Sequence, residues 1–383
     1  MNRRIAEIPP SLIRSISANK RPGDIDLGLG QPSLPPDLDA FAAALEWTRA
    51  FGSPYSPNAG FSELREAVAD YLSRLQWAVG ELSGENVCVT VGSEEALFLA
   101  IKSVIDPARD EVLIAEPCYL AYPKICILEG IRHRMVGLSP AERFVPRAAR
   151  LLEAIRPDTR LIIINTPGNP TGRVWPAEEL RELAEGLAAR QGAPIYVLAD
   201  EVYREIHFGA EPPGSIATYH DHALIAGSLS KSNALTGLRL GWLAGPPEVI
   251  AAATTVQQFV NTSASTFSQR VAVDLFRDTR RLAAHRPLYR ETRAALLEAA
   301  AQHGVELIEP EGAFYAFLRL PPWLAGDSLG AAESLLREQR VVAVPGSAFG
   351  PSGEGWLRIS WVLPAQSVVE GVRRIAEWAQ VPR

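Results

Sequence analysis

Apolar and polar positions follow two rhythms along this chain. Short runs of mostly apolar residues recur at 87–91 (VCVTV), 112–115 (VLIA), 160–164 (RLIII), 194–199 (PIYVLA) and 223–227 (ALIAG). Their length and β-branched content predict buried strands of one central sheet. Between them the spacing becomes helical: within 62–75, Leu64, Ala67, Val68, Tyr71, Leu72 and Leu75 share one face. At Ser93-Glu94-Glu95-Ala96 a helix start is legible, with Ser93 as the cap and the glutamates at the positive end of the dipole. Strands alternating with helices predict an α/β architecture, a mainly parallel sheet flanked by helices. There is no internal repeat and no low-complexity segment.

The rhythm changes towards the C-terminus. A long Arg- and Ala-rich helical stretch is expected over 277–303, strands over 313–320 and 356–362, and a last helix near 366–380. These elements predict a smaller α+β domain. An extended N-terminal segment carrying Pro9, Pro10, Pro22, Pro32, Pro35 and Pro36 joins it. The expected division is a large domain over 45–280 and a small one made of 1–44 and 281–383, consistent with a 383-residue chain being too long for one core.

Composition narrows the partners. A net charge of −6 with 21% charged residues gives no basis for nucleic acid or an anionic membrane as partner. The start, Met1-Asn2-Arg3-Arg4 followed by Glu7, has no apolar run, so neither a leader nor a membrane span is expected, and the cytoplasm follows. Cys88, Cys118 and Cys126 have no metal-ligand spacing and read as buried thiols. Of 38 basic residues only Lys20, Lys102, Lys124 and Lys231 are lysines, so a lysine inside a structured motif asks for a chemical reason.

In open α/β sheets ligands collect beyond the carboxyl ends of strands. Four polar groups end the apolar runs: Gly92-Ser93-Glu94, then Asn165-Thr166-Pro167-Gly168-Asn169-Pro170-Thr171-Gly172, then Asp200-Glu201-Val202-Tyr203, and finally Ser228-Leu229-Ser230-Lys231. Singly they read as a turn, a loop, a cap and a surface charge. Together they supply what a pyridoxal 5'-phosphate site needs: a lysine, a carboxylate for the ring nitrogen, donors to the phenolic oxygen and a phosphate cradle. Downstream, Leu238-Arg239-Leu240-Gly241-Trp242 and Trp356-Leu357-Arg358-Ile359-Ser360 each add an arginine.

Carried by these blocks, from about Gly28 to Ser360, the chain resembles the class I and II aminotransferases of fold type I, the aspartate-aminotransferase-like family. One departure is Thr166, where the family commonly has asparagine. The resemblance implies a pyridoxal-phosphate-dependent aminotransferase that moves an amino group from an amino acid to a 2-oxo acid by a ping-pong route. Lys231 would carry the cofactor as a Schiff base and act as the base, and Asp200 would pair with the pyridine nitrogen. Asn169 and Tyr203 would bond the phenolic oxygen, and Tyr119 would stack on the ring. Ser93, Glu94, Ser228 and Arg239 would hold the phosphate. Tyr55 would reach the phosphate of a neighbouring subunit, implying a homodimer. Arg358 would clamp the substrate carboxylate, with Asn169 and the Gly30 backbone beside it.

The resemblance leaves the substrate open. Residues 240–269 contain neither arginine nor lysine, where dicarboxylate-preferring relatives carry a second arginine. That points to neutral or aromatic side chains, unless Arg14 or Arg21 serves instead. A carbon-sulfur β-lyase of the same fold begins with the same Cα chemistry and is the alternative. A non-catalytic sensing regulator is a third reading, disfavoured because no basic helix-turn-helix pattern precedes the first helix. His220-Asp221-His222 lacks a third ligand, so no metal is expected, and Gly28-Leu29-Gly30 lacks the third glycine of a dinucleotide turn. Trp356 and Trp361 read as packing.

Overall fold

The computed structural model describes residues 3–6, 8 and 11–380. Pro9 and Pro10, expected in the extended N-terminal segment, lie outside them. A seven-stranded sheet organises the middle of the chain: β1 (Val87–Thr90), β2 (Glu111–Glu116), β3 (Arg132–Gly137), β4 (Thr159–Asn165), β5 (Tyr196–Asp200), β6 (Ala223–Ser228) and β7 (Gly241–Ala244). Their order is β1-β7-β6-β5-β4-β2-β3, parallel throughout except for β7, which runs antiparallel to both neighbours.

The five expected strands are all present, because each alternates its residues between two buried faces. Val89, Leu113, Ile162, Val197 and Ile225 pack on one side, and Cys88, Val112, Ile163, Leu198 and Leu224 on the other. Two strands escape the apolar-run criterion for physical reasons. β3 is an edge strand with exposed Arg132 and half-buried His133 and Arg134, whereas β7 starts on a glycine, which interrupts its apolar run.

A second, antiparallel sheet orders Val344–Pro345, Trp356–Ser360, Tyr315–Arg319 and Leu307–Ile308. The last helix, Ala365–Ala379, packs against the helix Arg286–His303. The expected single stretch over 277–303 is broken. Residues Thr279–Ala283 form a tight turn capped by Asp278, and the helix starts only at Arg286, with Pro287 in its first turn where a missing N–H is tolerated.

Trp356 stacks on Phe317 on one face of this sheet, while Trp361 is buried in the separate cluster with Leu357 and Ile359. The N-terminal segment is stitched to this unit. Ile25–Asp26 pairs in parallel with Val341–Val342, and the carbonyls of Leu27 and Leu29 accept from Ser360. That seam fixes where Gly28 and Gly30 lie. Among the described residues no helix is long and apolar enough to cross a membrane.

Candidate active site

Strands β4, β5 and β6 end side by side, with Asn165 opposite Asp200 and Asp200 opposite Ala226. Each end delivers a polar group to the same edge. Asn165 opens the loop to Asn169 and holds it: its amide donates to the Asp200 carbonyl at 2.8 Å, while its Oδ1 accepts from the Asn169 N–H at 2.7 Å. Thr166, at the departure from the family pattern, accepts from Trp175 N–H and braces the same loop. Asp200 terminates β5 and is buried. Ser228 terminates β6 and leads straight into the one-turn helix Leu229–Ser232 that carries Lys231.

The Asp200 carboxylate accepts from the Tyr122 hydroxyl at 2.7 Å and the Val202 N–H at 3.3 Å. Burial nevertheless pushes its pKa from 3.8 up to about 6, against those hydrogen bonds and the nearby positive charge of Lys231. Among the described residues it forms no ion pair. Lys231 is half-buried, and its Nζ donates to the Gly30 carbonyl at 3.0 Å. Lys20 and Lys102, in contrast, are spent on ion pairs with Asp26 and Glu129.

At the end of β1 the chain turns through Gly92, at φ +75°, where a Cβ would fall 2.5 Å from the Arg239 guanidinium. Gly92 is the cap of the helix Ser93–Val104, and Ser93 is its first residue without a side-chain cap bond, so the expected capping role of Ser93 moves one residue back. Ser228 Oγ accepts from Ser230 N–H and donates to the Leu240 carbonyl, tying the lysine turn to the residue beside Arg239. Arg239 itself is exposed, with left-handed φ +49°. The edge therefore gathers helix amides, Ser228 and a guanidinium, the composition of an anion cradle. Glu94 is exposed at the same helix start. Tyr119 is half-buried and packs edge-on to Tyr122, ring centres 5.8 Å apart.

Facing this edge is Arg358, brought by the antiparallel sheet and only 2% exposed. One Nη donates to Asn169 Oδ1 at 3.1 Å and the other to the Gly28 carbonyl. Its guanidinium lies over the rings of Tyr315 at 4.4 Å and Phe349 at 5.0 Å. Its Nε has no partner, and no carboxylate pairs with it among the described residues. Burial pulls its pKa below the usual arginine value.

Asn169, Lys231, Gly30 and Arg358 are thus brought together where the strand ends of the large sheet meet the small sheet and the N-terminal segment, with two qualifications. Tyr55 is 87% exposed on this chain. Arg21 lines a separate surface cleft beside Glu333 and Arg337, while Arg14 is exposed on the helix Leu12–Ala18. Sequence reasoning missed Tyr122, Tyr315 and Phe349. For Tyr122 a signal existed, one helical turn beyond Tyr119. Tyr315 and Phe349 acquire their roles only when the small sheet folds over the large one. His220 is bonded to the Ile195 carbonyl, and among the described residues no acidic, histidine and cysteine group has a metal-holding arrangement.

The family model of aminotransferase class I and II matches residues 22–375, and the chain belongs to that family. Similar relatives include an aspartate aminotransferase of Pyrococcus horikoshii, 32% identical and covering 97% of this chain and 95% of the relative. An aromatic-amino-acid aminotransferase 2 of Thermococcus litoralis is 31% identical, with 97% and 96% covered. Among solved structures, the aspartate aminotransferase from Thermus thermophilus with maleate superposes with TM-score 0.90 at 31% identity, covering 98% of this chain and 99% of that one. The fold is that of these enzymes, and the chain is a transaminase.

Proposed function

We propose that this transaminase holds pyridoxal 5'-phosphate on Lys231 and transfers the amino group of a neutral or aromatic amino acid to a 2-oxo acid. One observation carries the reading. Among the described residues, a buried carboxylate, Asp200, and a buried guanidinium, Arg358, pair neither with each other nor with another side chain of opposite charge. Unpaired buried charges are costly, so the arrangement calls for a ligand that is cationic at one end and a carboxylate at the other. A protonated pyridine ring fits Asp200, and an amino acid fits Arg358. The cradle of Gly92, Ser93, Ser228 and Arg239 would take the phosphate, where any Cβ at Gly92 would collide with the guanidinium.

When bound, the pyridoxal ring supplies an electron sink for the bond broken at the substrate Cα. The chain's own groups do the rest. Arg358 orients the substrate through its carboxylate, with Asn169 holding the guanidinium in place. Lys231 Nζ, freed when the substrate amine takes its place on the cofactor, would take the Cα proton and return it to the cofactor carbon to which the lysine had been bonded. Asp200, held by Tyr122, would keep a positive charge on the ring nitrogen, Tyr203 and Asn169 would donate to the phenolic oxygen, and Tyr119 would cover one ring face.

We also propose a homodimer in which Tyr55 reaches the neighbouring phosphate. Leu38, Phe51, Tyr55, Phe259 and Val260 are all exposed large apolar side chains. The 51–58 and 257–262 segments are tied together by Asn58 and Gln257, so they offer a continuous covering surface. The working division into a cofactor-binding unit over 45–280 and a small unit of 1–44 and 281–383 is best redrawn ahead of Leu38, since helix Leu38–Phe51 buries Ala40 and Ala44 in the large core. A cytoplasmic location agrees with three buried free thiols.

The test is to load the protein with pyridoxal phosphate and add amino acids singly without any oxo acid, following the visible spectrum. Stoichiometric bleaching with release of the matching 2-oxo acid is expected. Continued turnover with ammonia release would instead identify the β-lyase alternative.

A further inference from the structure

We infer that Tyr315 is a positioning residue that joins the two halves of the site, aligning Arg358 for the substrate carboxylate and committing the proton of Tyr203 to the cofactor. The inference rests on the reading that Lys231 holds pyridoxal phosphate with Tyr203 at its phenolic oxygen.

Tyr315 opens the strand Tyr315–Arg319, is 2% exposed and pairs with Ser360 in the small sheet. Three contacts meet on its side chain. Its ring lies under the Arg358 guanidinium at 4.4 Å. Its hydroxyl is 3.2 Å from the Tyr203 hydroxyl. The same hydroxyl fills the space beside Gly30, where a Cβ would fall 1.8 Å from it, and the Gly30 carbonyl is the acceptor of Lys231. The backbone is pinned as well: a Cβ at Gly172, in the Asn169 loop, would lie 2.8 Å from the Tyr315 carbonyl. The side chain therefore has little freedom to swing away.

The direction of the hydroxyl bond decides its consequence. Tyr203 has a single proton. If it is to donate to a ligand oxygen, the Tyr203–Tyr315 bond must be donated by Tyr315. A donor feeding the Tyr203 oxygen polarises its O–H and strengthens the bond it gives onward. At the other end, the electron-rich face of the ring stabilises the buried guanidinium, which has no carboxylate partner among the described residues. A residue that served only the core of the small sheet would touch neither property.

The experiment uses the cofactor-loaded protein and five forms: wild type, Tyr315→Phe, Tyr315→Leu, Tyr203→Phe and the double Tyr315→Phe/Tyr203→Phe variant. The first readout is the pH titration of the visible band of the lysine-bound cofactor. A hydrogen bond to the phenolic oxygen lowers the proton affinity of that oxygen and the lysine nitrogen beside it. Weakening the bond therefore moves the midpoint upward. Tyr315→Phe is expected to raise it by roughly 0.3 to 0.5 pH unit, and to add nothing in the Tyr203→Phe background.

The second readout separates the ring from the hydroxyl. Tyr315→Leu is expected to raise the KM for the amino acid about fivefold, the loss of about one cation–π contact. Tyr315→Phe is expected to restore KM to within about twofold of wild type, since phenyl keeps the stacking face. An unmoved midpoint in Tyr315→Phe, or an equal shift with and without Tyr203, overturns the inference. If wild type forms no visible band, the lysine reading itself fails and takes this one with it; a band that forms but ignores Tyr315 leaves the lysine reading intact.

Discussion

The two walls of the site are built in different ways. The wall proposed for the cofactor comes from neighbouring parallel strand ends: Asn165 and Asp200 sit in hydrogen-bonded register, Ser228 ends the next strand two residues past Ala226, the partner of Asp200, and Lys231 follows in the one-turn helix. The wall proposed for the substrate is assembled from distant segments: Arg358 from the small sheet, Asn169 from a loop of the large one, and Gly28 and Gly30 from the N-terminal segment. The first wall is rigid because the sheet makes it so. The second depends on the seam by which Ser360 bonds the Leu27 and Leu29 carbonyls. Variants of the first wall should therefore change chemistry, whereas variants of the second should change how substrate is held.

The sharpest test of that contrast is Lys231→Ala. Its turnover is expected to fall by about 10³-fold or more, with Arg358 still held by Asn169 and the Gly28 carbonyl. A stopped-flow assay of single turnover with a saturating amino acid checks this.

Asp200→Asn comes next, with two opposite effects. Turnover is expected to drop by about 10²-fold because a neutral amide does not hold the ring nitrogen charged. The cofactor-free protein should gain stability. The folded Asp200 value of about 6 lies above the ordinary 3.8, so the folded state binds the extra proton and burial of the charge costs stability above pH 6. The cost fades as pH falls towards 4. Urea unfolding of cofactor-free protein is expected to show Asp200→Asn more stable by about 3 kcal/mol at pH 8, with little difference near pH 4.

On the other wall, Arg358→Lys removes the planar fork while keeping charge. It is expected to cost about 2 kcal/mol, roughly 30-fold in kcat/KM, carried mainly by KM. Steady-state kinetics with the preferred amino acid measure the split, and a loss confined to kcat would break the division between the walls.

The smallest effect is expected at Tyr55→Phe. Losing one hydrogen bond to a phosphate should weaken cofactor binding about fivefold, about 1 kcal/mol, without altering the unfolding of the separated chain, because the side chain is 87% exposed there. Equilibrium dialysis of the cofactor reads it.

The same contrast explains what could be read from sequence. Strand ends are local features: an apolar run stopping at Asp200 or at Ser228 announces itself, and those residues lie where the pattern places them. The substrate wall is not local. Arg358 sits in an apolar strand and has a role only through family resemblance; the partners that surround it, Tyr315 and Phe349, look like core residues until the small sheet meets the segments that follow β4 and β5. Tyr122 hides among the apolar residues of its helix, although it carries the hydrogen bond that sets Asp200. The strands β3 and β7 escape the apolar-run pattern because one is a polar edge strand and the other starts on a glycine.

The central claim, that Lys231 is the residue that holds the cofactor, has a direct test because the chain offers only four lysines. The protein is incubated with pyridoxal phosphate, reduced with borohydride, digested and mapped by mass spectrometry. The account predicts one pyridoxyl adduct, on the peptide containing Lys231; an adduct on Lys20, Lys102 or Lys124 in its place, or none at all, would contradict it.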